Sequence, residues 1–198
     1  MSPWEAIKLI KNPVMIAIIL IILPLANAYD LLNNNGLNYY ISYLYDGDNL
    51  TRMQAVTHIA ESRDERGLLP LIEVMRSDGD WRIRAAAAKG LGGFANRGQV
   101  EPLIQALNYD PNSFVRSDAA NALGNLNDTK AIGPLSVSLE DKDPMVRSSA
   151  AYALGTLGST EAVNSLNRAL DDEDPIVRVA AQWSINLLNY SVNDSMTL

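Results

Sequence analysis

One short phrase is written across this chain four times. Ile83-Arg84 is followed by Ala87-Ala88 and Leu91-Gly92, and Val115-Arg116 by Ala119-Ala120 and Leu123-Gly124. Val146-Arg147 leads to Ala150-Ala151 and Leu154-Gly155, and Val177-Arg178 to Ala180-Ala181 and Ile185. The arginines stand 32, 31 and 31 residues apart. A fixed period of this size marks stacked supersecondary units, none of which can bury its apolar face alone. The sequence therefore predicts an all-α solenoid of two-helix repeats with a period of 31–32 residues. Such an array is one continuous body held by nearest-neighbour contacts.

Each unit reads as two helices. An acidic turn opens the first, at Asp48, Asp80, Asp110-Pro111, Asp143-Pro144 and Asp174-Pro175. Aspartate caps helix N-termini, and proline fits the first helical position because its missing N–H has no partner there. The alanine pairs permit close helix approach. Gly92, Gly124 and Gly155 are expected to end the helix as positive-φ caps. The second helix shows a fixed face of Leu71, Leu103, Leu135 and Leu166, with Met75, Leu107, Leu139 and Leu170 four residues on. Only 7% of residues are aromatic, so small and aliphatic side chains must fill the core. Trp81 and Phe114 fall in turns and are expected to plug seams between units.

The period reaches beyond the four clear copies. Asp46-Gly47-Asp48 and Arg52 precede Asp78-Gly79-Asp80 and Arg84 by 32 residues, which makes Arg52 to Ala60 a degenerate first helix. The same offset aligns Tyr39, Tyr40 and Tyr43 with Leu71, Ile72 and Met75. The expected solenoid covers residues 29–189: a capping helix over 37–45, four helix pairs over 48–175, a capping helix over 176–189, then a tail over 190–198. Terminal units are atypical in such arrays because one face meets water.

The units resemble the HEAT-like repeat family named after phycobilisome lyases, common in archaea and cyanobacteria. Its pattern is an Asp-Pro-x-Val-Arg turn, an Ala-Ala-x-Ala-Leu-Gly first helix and an Ala-Val-x-x-Leu second helix. Asp143 to Gly155 follows the first part almost letter for letter, and Glu161-Ala162-Val163 with Leu166 the second. The resemblance implies an Asp–Arg ladder between adjacent turns, assigned to Asp48, Arg52, Asp80, Arg84, Arg116, Asp143, Arg147, Asp174 and Arg178. It also implies that the stacked second helices line the concave side. It does not imply lyase chemistry, since one fold hosts many functions.

Residues 1–28 are of another kind. Lys8 and Lys11 precede an apolar run from Val14 to Ala26, then Ala26-Asn27-Ala28. A basic start, a short greasy stretch and an A-x-A site describe a secretory signal peptide. The run is shorter than the about 20 residues that span a bilayer. An uncleaved anchor over residues 7–26 is the alternative, with the lysines snorkelling, and a buried core helix a third reading. Cleavage after Ala28 would start the chain at Tyr29 with a net charge of −8. Export would give meaning to four N-x-S/T acceptors, at Asn49, Asn127, Asn189 and Asn193.

No reaction chemistry is legible. The net charge of −7 argues against nucleic acid as a partner. There is no cysteine, and His58 is the only histidine, so neither a thiolate metal site nor a paired-histidine iron site can form. No cofactor or metal is expected, and the acids Asp171 to Asp174 read as a solvated turn. The Asp and Arg columns recur in every unit and so serve the unit. Partner-binding candidates are the second-helix letters that change between copies: Glu73/Gln105/Val137/Arg168 and Arg76/Asn108/Glu140/Asp171. The first-helix column that ends in Tyr152 and Trp183 adds an aromatic candidate. The expected function is an exported, non-catalytic, monomeric scaffold that binds a protein or peptide. The alternatives are a membrane-tethered assembly or stability factor and a lyase-like enzyme acting on a tetrapyrrole.

Overall fold

The computed structural model describes residues 36–195. The apolar segment over 1–28 and residues 196–198 lie outside them. Ten α-helices follow one another: α1 (Gly36–Asp46), α2 (Asn49–Ser62), α3 (Leu68–Ser77), α4 (Trp81–Leu91), α5 (Val100–Tyr109), α6 (Ser113–Leu126), α7 (Ile132–Ser138), α8 (Pro144–Thr156), α9 (Val163–Ala169) and α10 (Pro175–Ser195). Single 3₁₀ turns over 65–67, 129–131 and 160–162 lead into α3, α7 and α9. The even-numbered first helices stack on one another in one layer, and the odd-numbered second helices pack against them in the other. The chain is an all-α solenoid. Its last helix runs to Ser195, past the expected end at Asn189.

The first helices start where sequence chemistry puts them. Asp48, Asp80, Asn112, Asp143 and Asp174 accept hydrogen bonds from the backbone N–H groups of Thr51, Arg82, Phe114, Met145 and Ile176 at 2.8–2.9 Å. Each such cap contributes about 1 kcal/mol by satisfying an orphan donor. Beyond the caps the repeated letters point inward. Leu71, Leu103, Leu135 and Leu166 are fully buried, as are Ala87-Ala88, Ala119-Ala120, Ala150-Ala151 and Ala180-Ala181. The core is mostly leucine, isoleucine, valine and alanine, with Phe94 its one buried aromatic among the described residues.

The glycines of the phrase do a different job from the expected one. Gly92 has φ −66°, and Gly124 and Gly155 lie inside α6 and α8. Positive φ occurs instead at Arg63, Asn127 and Gly158 among the described residues. The phrase glycines mark the closest approach of successive first helices. A Cβ on Gly92 would meet Ala122 Cα at 2.8 Å, one on Gly124 would meet Ala153 Cα at 2.9 Å, and one on Gly155 would meet Ser184 Oγ at 2.5 Å. The α2–α4 seam keeps the pairing but exchanges the partners. There Ala60 takes the glycine column and Gly90 faces it, so that a Cβ on Gly90 would lie 2.6 Å from Ala60 Cβ. Each seam thus carries one glycine and one small residue.

The same two columns change character at the ends. His58 stands where the later units have glycine, alanine or serine, and its ring stacks on Tyr40 at 4.3 Å. Asn186 stands in the glycine column and accepts a hydrogen bond from Gln182 Nε2 at 3.0 Å. Both are exposed. Exposed polar groups at these positions suit terminal units, whose outer faces meet water.

Candidate interaction surfaces

The arginines of the phrase do form a ladder, but its rungs are not the capping aspartates. Nε and Nη2 of Arg52, Arg84, Arg116 and Arg147 donate to both carboxylate oxygens of Asp78, Asp110, Asp141 and Asp172, at 2.8–3.2 Å. Nη1 of Arg84, Arg116, Arg147 and Arg178 donates to the backbone carbonyls of Asp78, Asp110, Asp141 and Asp172 at 2.7–2.9 Å. Each inner arginine thus clamps its own turn to the carboxylate of the next, the planar two-pronged geometry that only a guanidinium offers. Asp80, Asp143 and Asp174, assigned to the ladder from sequence, instead cap helices; their backbone N–H groups donate to the rung carboxylates at 2.8–2.9 Å. Asp48 likewise caps α2.

The rung side chains are largely withdrawn from water: 5% and 15% exposed for Arg116 and Asp141, 9% and 10% for Arg147 and Asp172. The Asp172 carboxyl is held below the usual range mainly by its bonds to Arg147. Burial pushes the Asp141 carboxyl up, but Arg116 and the Asp143 N–H outweigh it, and the net direction is down. The aspartates in turn hold all four guanidinium groups more firmly protonated. Asp172 is a rung and Asp174 a cap, so the acidic turn at the C-terminal end is built into the frame. Among the described residues no group of three or more His, Asp or Glu side chains is placed to hold a metal ion.

The variable second-helix residues lie on the surface, where they sort into two pairs. Arg76 and Gln105 are joined by a 3.3 Å hydrogen bond and line a 380 Å³ depression with Met75, Pro102 and Tyr109, the last 80% exposed. Glu140 and Arg168 line a 440 Å³ depression above the Arg147–Asp172 rung. Glu73 accepts a 2.8 Å hydrogen bond from the Tyr45 hydroxyl, which burial and this bond push up to about 12. Asn108, Val137 and Asp171 are exposed nearby.

On the other layer, Tyr152 and Trp183 meet edge to face with ring centroids 5.3 Å apart, both partly open to water. Trp81 and Phe114 stack at 4.9 Å across the α4–α6 seam, with the Arg82 guanidinium 5.0 Å from the Trp81 ring centre. Phe114 is half-exposed, so the pair bridges the seam from outside rather than filling it. An 810 Å³ groove between α2 and α4, floored by Ala60, Ala86, Gly90 and Gly92 and rimmed by Glu61, Arg63 and Lys89, had no sequence signal beyond its extra glycines. The Asn49 amide, in one of the four sequons, donates to Asp80 and its oxygen accepts from Arg52. Among the described residues no helix is long and apolar enough to cross a membrane.

A family model for HEAT repeats matches residues 38–124 and again 100–186. The chain is similar to a chain in the structure of the CpcE–CpcF complex of phycocyanin lyase from Nostoc sp. PCC7120, at 25% identity and TM-score 0.68. That match covers 77% of this chain and 64% of the other, so this chain spans less than two thirds of its length. A designed armadillo-repeat protein in complex with the peptide (KR)4 is similar in fold, at 19% identity and TM-score 0.60, over 81% of this chain and 84% of that one. The Escherichia coli protein YibA is a further fold neighbour, at 19% identity and TM-score 0.62, over 81% and 63% of the two chains. No curated protein matches the sequence.

Proposed function

Because this chain belongs to the HEAT-repeat family, we propose that it is an exported, non-catalytic scaffold that binds a protein or peptide partner. One observation carries the reading. Glu140, in the turn after α7, and Arg168, on α9, share one surface depression, whereas the caps, rungs and seams beneath them repeat from unit to unit. Residues that vary on an invariant frame are how a repeat array acquires a specific surface. The exposed polar groups at His58 and Asn186 favour a monomer, since end-to-end stacking would have to bury them. Export rests on the basic, apolar and A-x-A succession of residues 1–28. Retention of that segment would make the same body a membrane-tethered assembly factor.

The test uses the Glu140→Lys/Arg168→Glu double variant as bait in the exported fraction. Loss of a partner that the native bait recovers, at unchanged melting temperature, supports the face. Equal recovery removes it.

A second reading has one observation behind it, the 25% identity to a chain in the phycocyanin lyase complex. It makes this chain a lyase-like protein acting on a tetrapyrrole. Incubation with bilin chromophores should then give a spectral shift or a covalent adduct, and the absence of both counts against it.

A further inference from the structure

A column outside the expected binding face runs the length of the solenoid. The second residue of each first helix is Leu50, Arg82, Phe114, Met145 and Ile176. Four of the five are apolar. Leu50, Phe114 and Ile176 are 68%, 50% and 63% exposed, and Met145 is half-buried. The exception, Arg82, lies against the Trp81 ring, which stacks in turn on Phe114. The position points away from the core in every unit, so packing does not call for apolar side chains there. Helix ends are also where polar residues serve best. The result is a stripe one residue wide, advancing one side chain per repeat along the turn edge.

Its flanks are acidic. Asp48, Asp80, Asp143 and Asp174 sit two residues before stripe residues, and the Glu173 side chain is 89% exposed. The rung aspartates are neutralised by their arginines. Outside the rungs the edge carries more carboxylates than bases, since Arg82 already serves Asp80 at 3.5 Å and only Lys142 and Arg178 remain.

We propose that this edge seats an extended segment of a partner protein that alternates apolar residues with lysine or arginine. The geometry sets the period. Packed helices lie about 8–10 Å apart, and a chain in the polyproline-II conformation, with three residues per turn, advances about 9 Å in three residues, so one apolar side chain in three returns to the same side and meets successive stripe positions. The intervening basic residues face the flanking carboxylates. A lipid surface fits less well, because the stripe is narrow and its carboxylates repel anionic headgroups. The stripe side chains lie outside the Glu140–Arg168 depression, which the flanks meet only at Glu173.

The probe is a fluorescein-labelled peptide of five Leu-Lys-Ser triplets, titrated with the full chain and read by anisotropy. Binding is expected for this peptide. It should weaken at least tenfold in the Leu50→Ser/Ile176→Ser variant, which leaves the Trp81–Phe114 stack intact, and further when Phe114→Ser is added. Melting temperatures should not move. Glu140→Lys/Arg168→Glu should bind the peptide as the native chain does. A Leu-Glu-Ser peptide should not bind. The proposal is overturned if the native chain ignores the Leu-Lys-Ser peptide, if the stripe variants bind it undiminished, or if a Ser-Lys-Ser peptide binds equally. Stripe-dependent pelleting with phosphatidylglycerol vesicles would overturn the choice of a peptide as occupant.

Discussion

The exchange of glycine and alanine in the α2–α4 seam makes the packing rule testable with three variants. Gly90→Ala sets two methyl groups 2.6 Å apart, and neither has a rotamer through which to escape. Overpacking of this kind costs about 1–3 kcal/mol. The better helix propensity of alanine returns about 1 kcal/mol, leaving a net loss of up to about 2 kcal/mol. Ala60→Gly alone loses about 1 kcal/mol of propensity and some buried surface. In the double variant the nearest atoms to the new Cβ become Ala60 Cα at 3.7 Å and a Leu71 methyl carbon at 3.9 Å, both ordinary contacts. Its glycine now sits in the same column as Gly92, Gly124 and Gly155. The double variant should therefore be more stable than Gly90→Ala, with a coupling of about 2 kcal/mol where distant sites would add within about 0.5 kcal/mol. Urea unfolding followed by circular dichroism reads it, with unchanged m-values as the control. Additive effects would refute the claim that each seam tolerates only one Cβ.

The ladder predicts unequal costs for chemically identical changes. Arg116→Met leaves the Asp141 carboxylate buried without its partner and should cost about 3 kcal/mol. Arg178→Met removes an exposed side chain whose bonds go to two backbone carbonyls and should cost under about 1 kcal/mol by the same urea titration. Asp141 and Asp172 have carboxyl pKa values below the ordinary range, so their contribution is complete above the unfolded value of about 3.9 and is lost as pH falls through the folded values. The urea midpoint should accordingly drop on acidification below about pH 4, with a shallower drop in Arg116→Met. Asp118 behaves oppositely: burial pushes its carboxyl up against the pull of Lys89. Its charge therefore opposes folding at neutral pH, and Asp118→Asn should raise the melting temperature there and lose that advantage in acid. N-terminal sequencing should find Tyr29 in the soluble exported fraction; Met1 retained in membranes would favour the tether.

The helix order was open to reading because each unit repeats the same solution to the same problem. Caps, alanine pairs and buried leucines recur at a period that marks a stack of two-helix units. The ladder partners were misassigned because two aspartates stand two residues apart in four of the five turns. The distinguishing letter was present: the third unit has Asn112 at the cap and keeps Asp110. A cap accepts an amide or a carboxylate oxygen alike, whereas a rung facing a guanidinium needs the charge. The glycines were misread for a related reason. Glycine at a helix end suggests positive φ, but only the neighbouring helix reveals that the missing Cβ is a matter of space. The outward stripe escaped notice because its residues lie beside the loudest letters of the phrase. How Glu140 and Arg168 come to share one depression depends on the spacing of α7 and α9, which no single unit encodes.

The division between an invariant frame and a variable surface is tested most directly by one paired measurement. Partner recovery and melting temperature are recorded together for Glu140→Lys/Arg168→Glu and for Gly90→Ala. The surface variant should lose the partner and keep its melting temperature; the seam variant should melt lower and, below its transition, keep the partner. The reverse pattern, with recovery unchanged by the surface variant and abolished by the folded seam variant, would contradict the division.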